Sequence, residues 1–306
     1  MAYNCLVLGA SGFIGMNLIE ALQKAGACVH GFDRSEKPAI FGDDIAWTIG
    51  DFSSNEDVDS AVSGKDVVFH LISTSVPSTA QADRVLDVQR NLIPSIALMD
   101  ACVKHNVKKL TFISSGGTVY GLDVAVPTPE DAATNPISAY GATKLAIEKY
   151  MGMYSAVYGL STAIVRLSNP YGRHQTSKNN QGAIRVFMDK MLAGEPISIW
   201  GAGDVVRDYI YIDDVSDALI KISETEKLHA IYNVGTGRGH DLLQVIAELE
   251  KVMDTPARIN YLPKRPVDVP TNVLDISKAK REIGWVPRVS LRSGLETMYE
   301  WVRVNK

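Results

Sequence analysis

In Ser138-Ala139-Tyr140-Gly141-Ala142-Thr143-Lys144 a phenol and an ammonium stand at i and i+4. That spacing places two side chains on one helix face, a turn apart. A free tyrosine titrates near 10 and is a poor base at neutral pH; bringing it toward about 7 takes roughly 3 units, or about 4 kcal/mol of preferential phenolate stabilisation. An adjacent ammonium, and a cationic group bound beside it, supply such stabilisation by charge proximity. In an arbitrary helix the same pair is ordinary surface, so its surroundings decide. Upstream, Phe112-Ile113-Ser114-Ser115-Gly116-Gly117-Thr118-Val119-Tyr120-Gly121 reads as a strand whose hydroxyl-bearing end enters a glycine loop, at the edge where open parallel sheets place ligands. Ser115 there would hydrogen-bond a reacting alcohol or ketone, with Ser114 and Thr118 in reserve. The plain alternative is a Ser/Gly loop chosen for turn chemistry.

A second chemical segment opens the chain. Leu6-Val7-Leu8 runs into Gly9-Ala10-Ser11-Gly12-Phe13-Ile14-Gly15, a strand, a tight turn and a helix start with glycines at every third position. The first glycine permits the turn, the second admits a pyrophosphate to the backbone, and the third lets helix and strand pack closely. The helix start then offers N–H groups and a partial positive charge to phosphate. Asp33 ends the second strand 18 residues beyond Gly15, where an acid accepts the adenosine ribose hydroxyls and repels a 2′-phosphate. NAD is therefore favoured over NADP, although Arg34 next to it is able to pair with such a phosphate. Asp51, in Gly50-Asp51-Phe52 after the third strand, is a candidate for the adenine amine.

The elements that must hold these residues are legible for most of the chain. Strands are predicted at Tyr3–Leu8, Cys28–Phe32, Ala46–Ile49, Val67–Leu71 and Leu110–Ser114, and helices at Phe13–Lys24, Asn55–Val62, Arg84–His105 and Ser138–Tyr158. Alternating strands and helices imply right-handed crossovers and a parallel sheet covered on both faces. Beyond Arg166, Pro170, Gly172, Gly182, Pro196, Gly201 and Gly203 break the chain into shorter pieces, with helices at 184–192, 213–224 and 242–253. The fold expected is α/β: a Rossmann-type doubly wound parallel sheet in residues 1–170, with a smaller α/β substrate-binding domain in 171–306. Segments within 205–235, notably Tyr209–Tyr211 and Tyr232–Val234, are candidates to return to the main sheet.

Composition bounds the rest. Of 306 residues 46% are hydrophobic and 22% charged, ordinary globular values that exclude disorder and fibrous repeats. The formal charge of −4 argues against a nucleic-acid binder held by a basic field. Cys5, Cys28 and Cys102 are scattered, without metal or disulfide spacing, as in a reducing cytosol. No apolar run approaches the roughly 18 residues of a membrane span. A soluble cytoplasmic protein is expected, with no metal.

Taken together, these segments resemble the extended short-chain dehydrogenase/reductase family, in particular its NAD-dependent nucleotide-sugar 4-epimerases, and the resemblance runs end to end. The YxxxK pair is Tyr140 and Lys144; the glycine motif is Gly9 to Gly15; Asn91 falls where the family has its structural asparagine. Arg166-Leu167-Ser168-Asn169-Pro170-Tyr171-Gly172 matches the RxxNxYG segment, whose asparagine binds the sugar nucleotide. Val206-Arg207-Asp208-Tyr209-Ile210 matches the segment whose arginine holds the diphosphate, and Arg265-Pro266-Val267-Asp268 the arginine and acid that grip diphosphate and uridine ribose. Guanidinium groups suit phosphate oxygens bidentately. The implied cofactor set is Gly9, Ser11, Gly12, Phe13, Ile14, Gly15, Asp33, Arg34, Asp51, Phe52, Leu71 and Asn91 with Tyr140 and Lys144. The implied substrate set is Ser115, Asn169, Arg207, Arg265, Asp268 and Asn272.

The mechanism implied by the resemblance has Tyr140 take the 4-hydroxyl proton as the C4 hydride passes to NAD. The 4-keto sugar rotates and receives the hydride on its other face. Lys144 anchors the nicotinamide ribose, and Ser115 bonds the reacting oxygen. Family members often carry Ser or Thr where this chain has Gly116, and Arg173-His174 replaces a usual Gly-Pro continuation. Dehydratases and decarboxylases of the family carry carboxylates in the segment that here reads Gly116-Gly117-Thr118, which disfavours both; a reductase is the remaining relative. Members restricted to glucose and galactose have a tyrosine where this chain has Asn272. The smaller residue implies UDP-N-acetylglucosamine/UDP-N-acetylgalactosamine interconversion, with UDP-glucose/UDP-galactose as an overlapping activity; the alternative is that Asn272 caps a turn. A non-catalytic NAD-sensing protein on the same fold would be expected to have lost Tyr140 or Lys144, and both are present here. The apolar faces of helices 84–105 and 138–158 imply a homodimer.

Overall fold

The computed structural model describes residues 3–177, 182–264 and 269–305. From the amino end, β1 (Asn4–Leu8), α1 (Phe13–Lys24), β2 (Cys28–Asp33), β3 (Ala46–Ile49), α2 (Asn55–Val62) and β4 (Val67–His70) follow in turn. After α3 (Pro77–Ala82) come α4 (Arg84–Asp87), a π-helical turn (Val88–Leu92) and α5 (Ile93–Lys104), then β5 (Lys109–Ser115), α6 (Ala139–Tyr158) and β6 (Thr162–Leu167). The remainder holds β7 (Asn169–Tyr171), α7 (Ala183–Ala193), β8 (Ile197–Trp200), β9 (Val206–Tyr211), α8 (Ile212–Ser223) and β10 (His229–Val234). Last are β11 (Gly239–His240), α9 (Leu242–Met253), β12 (Ile259–Leu262), β13 (Thr271–Asn272), α10 (Ser277–Ile283) and α11 (Leu291–Val304).

Seven strands form one sheet in the order β10-β6-β5-β4-β1-β2-β3, and each pairing is parallel. β1 shows why the sheet is doubly covered. Cys5 and Val7 join a core with Leu18, Ile19 and Leu22 of α1 and Val215 and Leu219 of α8. Leu6 and Leu8 join the opposite core with Val58 and Val62 of α2, Leu98 of α5 and Ile147 of α6. Alternate residues of one strand thus serve two layers, which is why the strand reads as an unbroken apolar run. Beside this sheet lie two smaller ones: β11-β9-β13 with β7 on β9, and β12-β8. β10 belongs to the main sheet, whereas β9 belongs to the smaller one.

The chain order reverses on either side of β1, between β2 and β4. Such a switch point opens a crevice at the carboxyl ends of the strands. Gly9 sits in that crevice with φ +85°, and a Cβ there would meet the Leu71–Ile72 backbone at 3.2–3.3 Å.

The helix expected as one piece over 84–105 is divided. Pro94 stands in the first turn of α5 and lacks the N–H that would bond four residues back, so the preceding turn widens to the π form. Asn91 lies in that turn.

Candidate active site

Local sequence sets the register of the Tyr140–Lys144 pair. The Ser138 side chain accepts from Gly141 N at 3.1 Å and caps α6, while Gly159 closes the helix in the left-handed region. Tyr140 is half-buried and lines a cavity of about 1080 Å³. Lys144, one turn on, is 5% exposed and lies behind that wall. Its Nζ donates to Ile113 O at 2.9 Å, and stands 4.6 Å from the Phe112 ring centroid and 5.6 Å from that of Tyr140. Burial draws the Lys144 ammonium down to about 8, against the opposing pull of Asp87 and Glu148. Burial pushes the Tyr140 phenol up; Ser73 draws it down and Asp87 pushes it up further. On balance the chain's own groups therefore raise the phenol above its ordinary value.

The Ser/Gly segment separates its three hydroxyls into different tasks. Ser114 Oγ is buried and donates to Glu148 Oε1. Glu148 also accepts from Arg166 Nε at 3.2 Å and Nη2 at 2.7 Å, a pair with side chains only 2–3% exposed. Arg166 spends a further donor on Glu130 O and stacks over Tyr120. Ser114 is thus committed to the wall. Ser115 is half-buried and lines the cavity, and Thr118 lines it with an Oγ1 that has no hydrogen-bond partner among the described residues. Gly116 has a packing reason: a Cβ there would lie 2.6 Å from Leu274 Cδ1 and 2.9 Å from Cδ2. Any side chain at this position would displace that leucine.

Asn272 stands directly behind this loop. It is 5% exposed, donates through Nδ2 to Gly116 O at 3.1 Å, and pairs with Arg207 in the β13–β9 register. Its Oδ1 is buried without a partner among the described residues. A Cβ added to Gly117, which lines the cavity, would lie 3.9 Å from both Asn272 Oδ1 and Ser115 Oγ. Asn272 therefore sits in the second layer of the wall, fastened to the turn at Gly116.

The crevice fits a dinucleotide. No side chain caps the start of α1 and its first turn carries no acid, so N–H groups and a positive helix end remain for an anion. A Cβ on Gly12 would meet nothing nearer than Gly9 O at 3.1 Å, whereas one on Gly15 would lie 2.2 Å from that same oxygen. Gly15 is thus required for helix and loop to close, and Gly12 leaves its outer side clear. Asp33 accepts from Ser11 N at 3.0 Å and Ser35 N at 3.1 Å, which sets its carboxylate against the glycine loop. Arg34 and Asp51 are exposed. The Phe52 side chain is buried, its ring 4.9 Å from that of His70. Asn91 is buried and accepts from Thr74 N at 2.8 Å, fastening the loop after β4.

Of the expected residues, Phe13, Ile14, Ser115, Tyr140, Asn169 and Arg207 line the one cavity. Asn169 Nδ2 donates to Asp208 O at 3.3 Å, and Arg207 Nη1 donates to the carbonyls of Val206 and Val269 at 2.8 Å each. Arg265 and Asp268 lie outside the described residues. The departure at Arg173-His174 is a junction: His174 Nε2 and Arg173 Nη1 meet Glu20 of α1 at 2.8 and 3.2 Å, and Arg173 Nη2 meets Asp213 at 2.9 Å. Sequence reading missed the rim formed by Ser73, Ser75, Val76 and Pro77, and the apolar wall at Phe187, Trp200 and Tyr209. The first carried a signal, since it follows β4 at the sheet's ligand-binding edge.

Comparison with known proteins agrees with this geometry. Residues 5–235 match the model of the NAD dependent epimerase/dehydratase family. A UDP-glucose 4-epimerase from Mycolicibacterium smegmatis is 32% identical, over 97% of this chain and 98% of the relative. The crystal structure of UDP-glucose 4-epimerase with UDP-glucose from Thermotoga maritima superposes with a TM-score of 0.94 at 34% identity, covering 99% of both chains. A UDP-N-acetylglucosamine 4-epimerase from Methanobrevibacter ruminantium, in complex with UDP-N-acetylmuramic acid, superposes with a TM-score of 0.93 at 26% identity, covering 100% of this chain and 99% of that one.

Proposed function

The chain belongs to the NAD-dependent epimerase/dehydratase family, and on that premise we propose that this nucleotide-sugar 4-epimerase interconverts UDP-N-acetylglucosamine and UDP-N-acetylgalactosamine through a transient 4-keto sugar. UDP-glucose and UDP-galactose are overlapping substrates. The observation that carries the reading is the single cavity lined at once by Tyr140, Ser115, Asn169 and Arg207, with Lys144 buried one helical turn behind the phenol.

When bound, NAD supplies reversible two-electron redox chemistry at the sugar's C4 and a positive ring charge while oxidised. The chain supplies the proton chemistry. Tyr140 takes the 4-hydroxyl proton and returns it to the 4-keto oxygen, and Ser115, with Thr118 beside it, donates to that oxygen as charge develops. Lys144 holds a positive charge under the phenol. Asn169 and Arg207 orient the nucleotide diphosphate, with Arg265 and Asp268 assigned the rest of the uridine end. Residues 1–170 form the cofactor half and 171–306 the nucleotide-sugar half, with β10 carried back into the main sheet.

Asn272 supports the N-acetyl preference. A small side chain behind Gly117 leaves the wall free to accept a 2-N-acetyl group, and its buried Oδ1 lacks a donor among the described residues. The homodimer belongs to the same reading: Val85, Ile93, Val157 and Tyr158 are 55–68% exposed on α4, α5 and α6, an apolar face that a two-fold partner would cover. No described helix is long and apolar enough to cross a membrane.

NMR-followed incubation with UDP-N-acetylglucosamine and, separately, UDP-glucose, without added cofactor, tests the reading. New 4-epimer signals from both, faster for the N-acetyl sugar, are expected. No product from either, before and after adding NAD, would overturn it.

A further inference from the structure

Buried charge around the catalytic pair must balance, because an uncompensated ion away from water costs several kcal/mol. Two cations lie there, Lys144 and Arg166, and two carboxylates, Glu148 and Asp87, all at most 5% exposed. Glu148 and Arg166 close on one another through both carboxylate oxygens. Lys144 has a carbonyl partner at Ile113, which satisfies a donor and leaves its charge unmatched. The fourth member is Asp87, at the end of α4.

Asp87 is bound from three elements at once. Its Oδ2 accepts from Thr143 Oγ1 at 2.5 Å, and Thr143 is the residue next to Lys144 on α6. Its Oδ1 accepts from Asn91 Nδ2 at 3.0 Å in the π turn and from the Ser75 hydroxyl in the loop that rims the cavity. Asn91 in turn holds Thr74 N and Oγ1 of that loop. One carboxylate thus ties the catalytic helix, the π turn and the cavity rim together.

We propose that Asp87 is a positioning residue, the buried counter-charge of Lys144, and that it sets the pH range in which the Tyr140–Lys144 pair works. The inference rests on the epimerase reading only in assigning Tyr140 and Lys144 their proton chemistry. The other ionisable groups facing the pair are His70 of β4, which burial draws down to about 3 and leaves neutral; Glu148 of α6, which adds to the pull of Asp87 on Lys144 but is closed on Arg166; and Arg166 of β6, held charged by that glutamate despite its burial. A negative charge beside Tyr140 and Lys144 raises both titrations, and Asp87 acts in that sense on each. Removing the charge while keeping the shape lowers both.

The test is Asp87→Asn in the full-length, cofactor-loaded protein labelled with 13Cζ-tyrosine, the Tyr140 resonance being assigned with Tyr140→Phe. The Tyr140 midpoint is expected to fall by about one pH unit, and both limbs of the kcat/KM profile to move to lower pH with it. Thr143→Val breaks the same hydrogen bond but keeps the charge, so it lowers the rate and leaves the midpoint in place. An unmoved midpoint in Asp87→Asn, or an equal shift in Thr143→Val, overturns the proposal. Should Asp87→Asn not fold, Asp87→Asn/Lys144→Met removes both charges and restores folding; continued failure of that double variant also overturns it. The tyrosine titration needs no sugar, so it stands or falls apart from the identity of the substrate.

Discussion

Removing Glu148 strands Arg166. Arg166 is 2% exposed and donates three of its hydrogen bonds to Glu148, while Ser114 loses its acceptor in the same step. Breaking a buried pair from one side costs about 3–5 kcal/mol, most of it the uncompensated charge. At about 2.1 cal/mol/K of unfolding entropy per residue, 306 residues give roughly 0.6 kcal/mol/K. Glu148→Ala should therefore lower the melting temperature by about 5–8 °C, read by calorimetry at matched concentration. Glu148→Leu/Arg166→Met removes both charges at similar volume and is expected to recover most of that loss, because such pairs are replaced by apolar groups at little cost. Turnover should stay low in the double variant, since Ser114 is still without its acceptor and the loop carrying Ser115 is no longer held. A fall of under about 2 °C for the single variant, or a double variant no more stable than the single, would refute the reasoning.

Four further outcomes are expected. Tyr140→Phe should lose about 10²–10⁴-fold in kcat while retaining NAD, measured by turnover and by cofactor absorbance after gel filtration; unchanged turnover would point to a non-catalytic protein. Asn272→Tyr should depress kcat/KM for the N-acetyl sugar at least tenfold more than for UDP-glucose, about 1.4 kcal/mol of discrimination, and equal losses would remove Asn272 from specificity. His70 has a folded pKa lowered to about 3 by burial, so between there and the unfolded value near 6.5 only the unfolded chain carries its proton. Stability therefore rises with increasing pH across that window by about 1.4 kcal/mol per unit and is lost as pH drops through it, and His70→Leu should lose this increment of slope in denaturation at pH 4.5–6; an unchanged slope would contradict a neutral buried imidazole. Val157→Glu, on the exposed face of α6, should convert a dimer-sized species to monomer in gel filtration, and a native chain eluting as monomer would dismiss the dimer outright.

Much of the fold was legible because its signals are local. The limits of α2 and α9 follow from caps and apolar spacing within each segment: Ser54 accepts from Asp57 N, and Asp241 and Gln244 form a capping box. The junctions depend on distant partners and were not legible. α11 buries Leu295, Met298 and Val302 in a clean helical pattern, but its place is set by Tyr171, whose hydroxyl donates to Leu291 O. The π turn is a case between these. Pro94 announces a disturbance in a long helix, yet not whether the helix breaks, bends or widens.

The site divides along the same line, and the division has a cause. Tyr140, Lys144 and the glycines act at positions fixed by one helix or one turn, so spacing alone displays them. Asp87, Glu148 and Arg166 act across elements, and as single letters they are ordinary charges on a surface helix or a strand end. Glu148 follows Lys144 by one helical turn, so its presence on the catalytic face is readable. That it serves Arg166 rather than Lys144 is not, because the choice depends on β5 and β6 lying side by side with Ser114 opposite Arg166 in the register. Asp87 then becomes the carboxylate left for Lys144, held there by a hydroxyl of the very helix it neutralises. A sequence states which groups are able to titrate. Packing decides which charge each of them answers, and in this chain that allocation sets the acidity of the phenol on which the proposed chemistry turns.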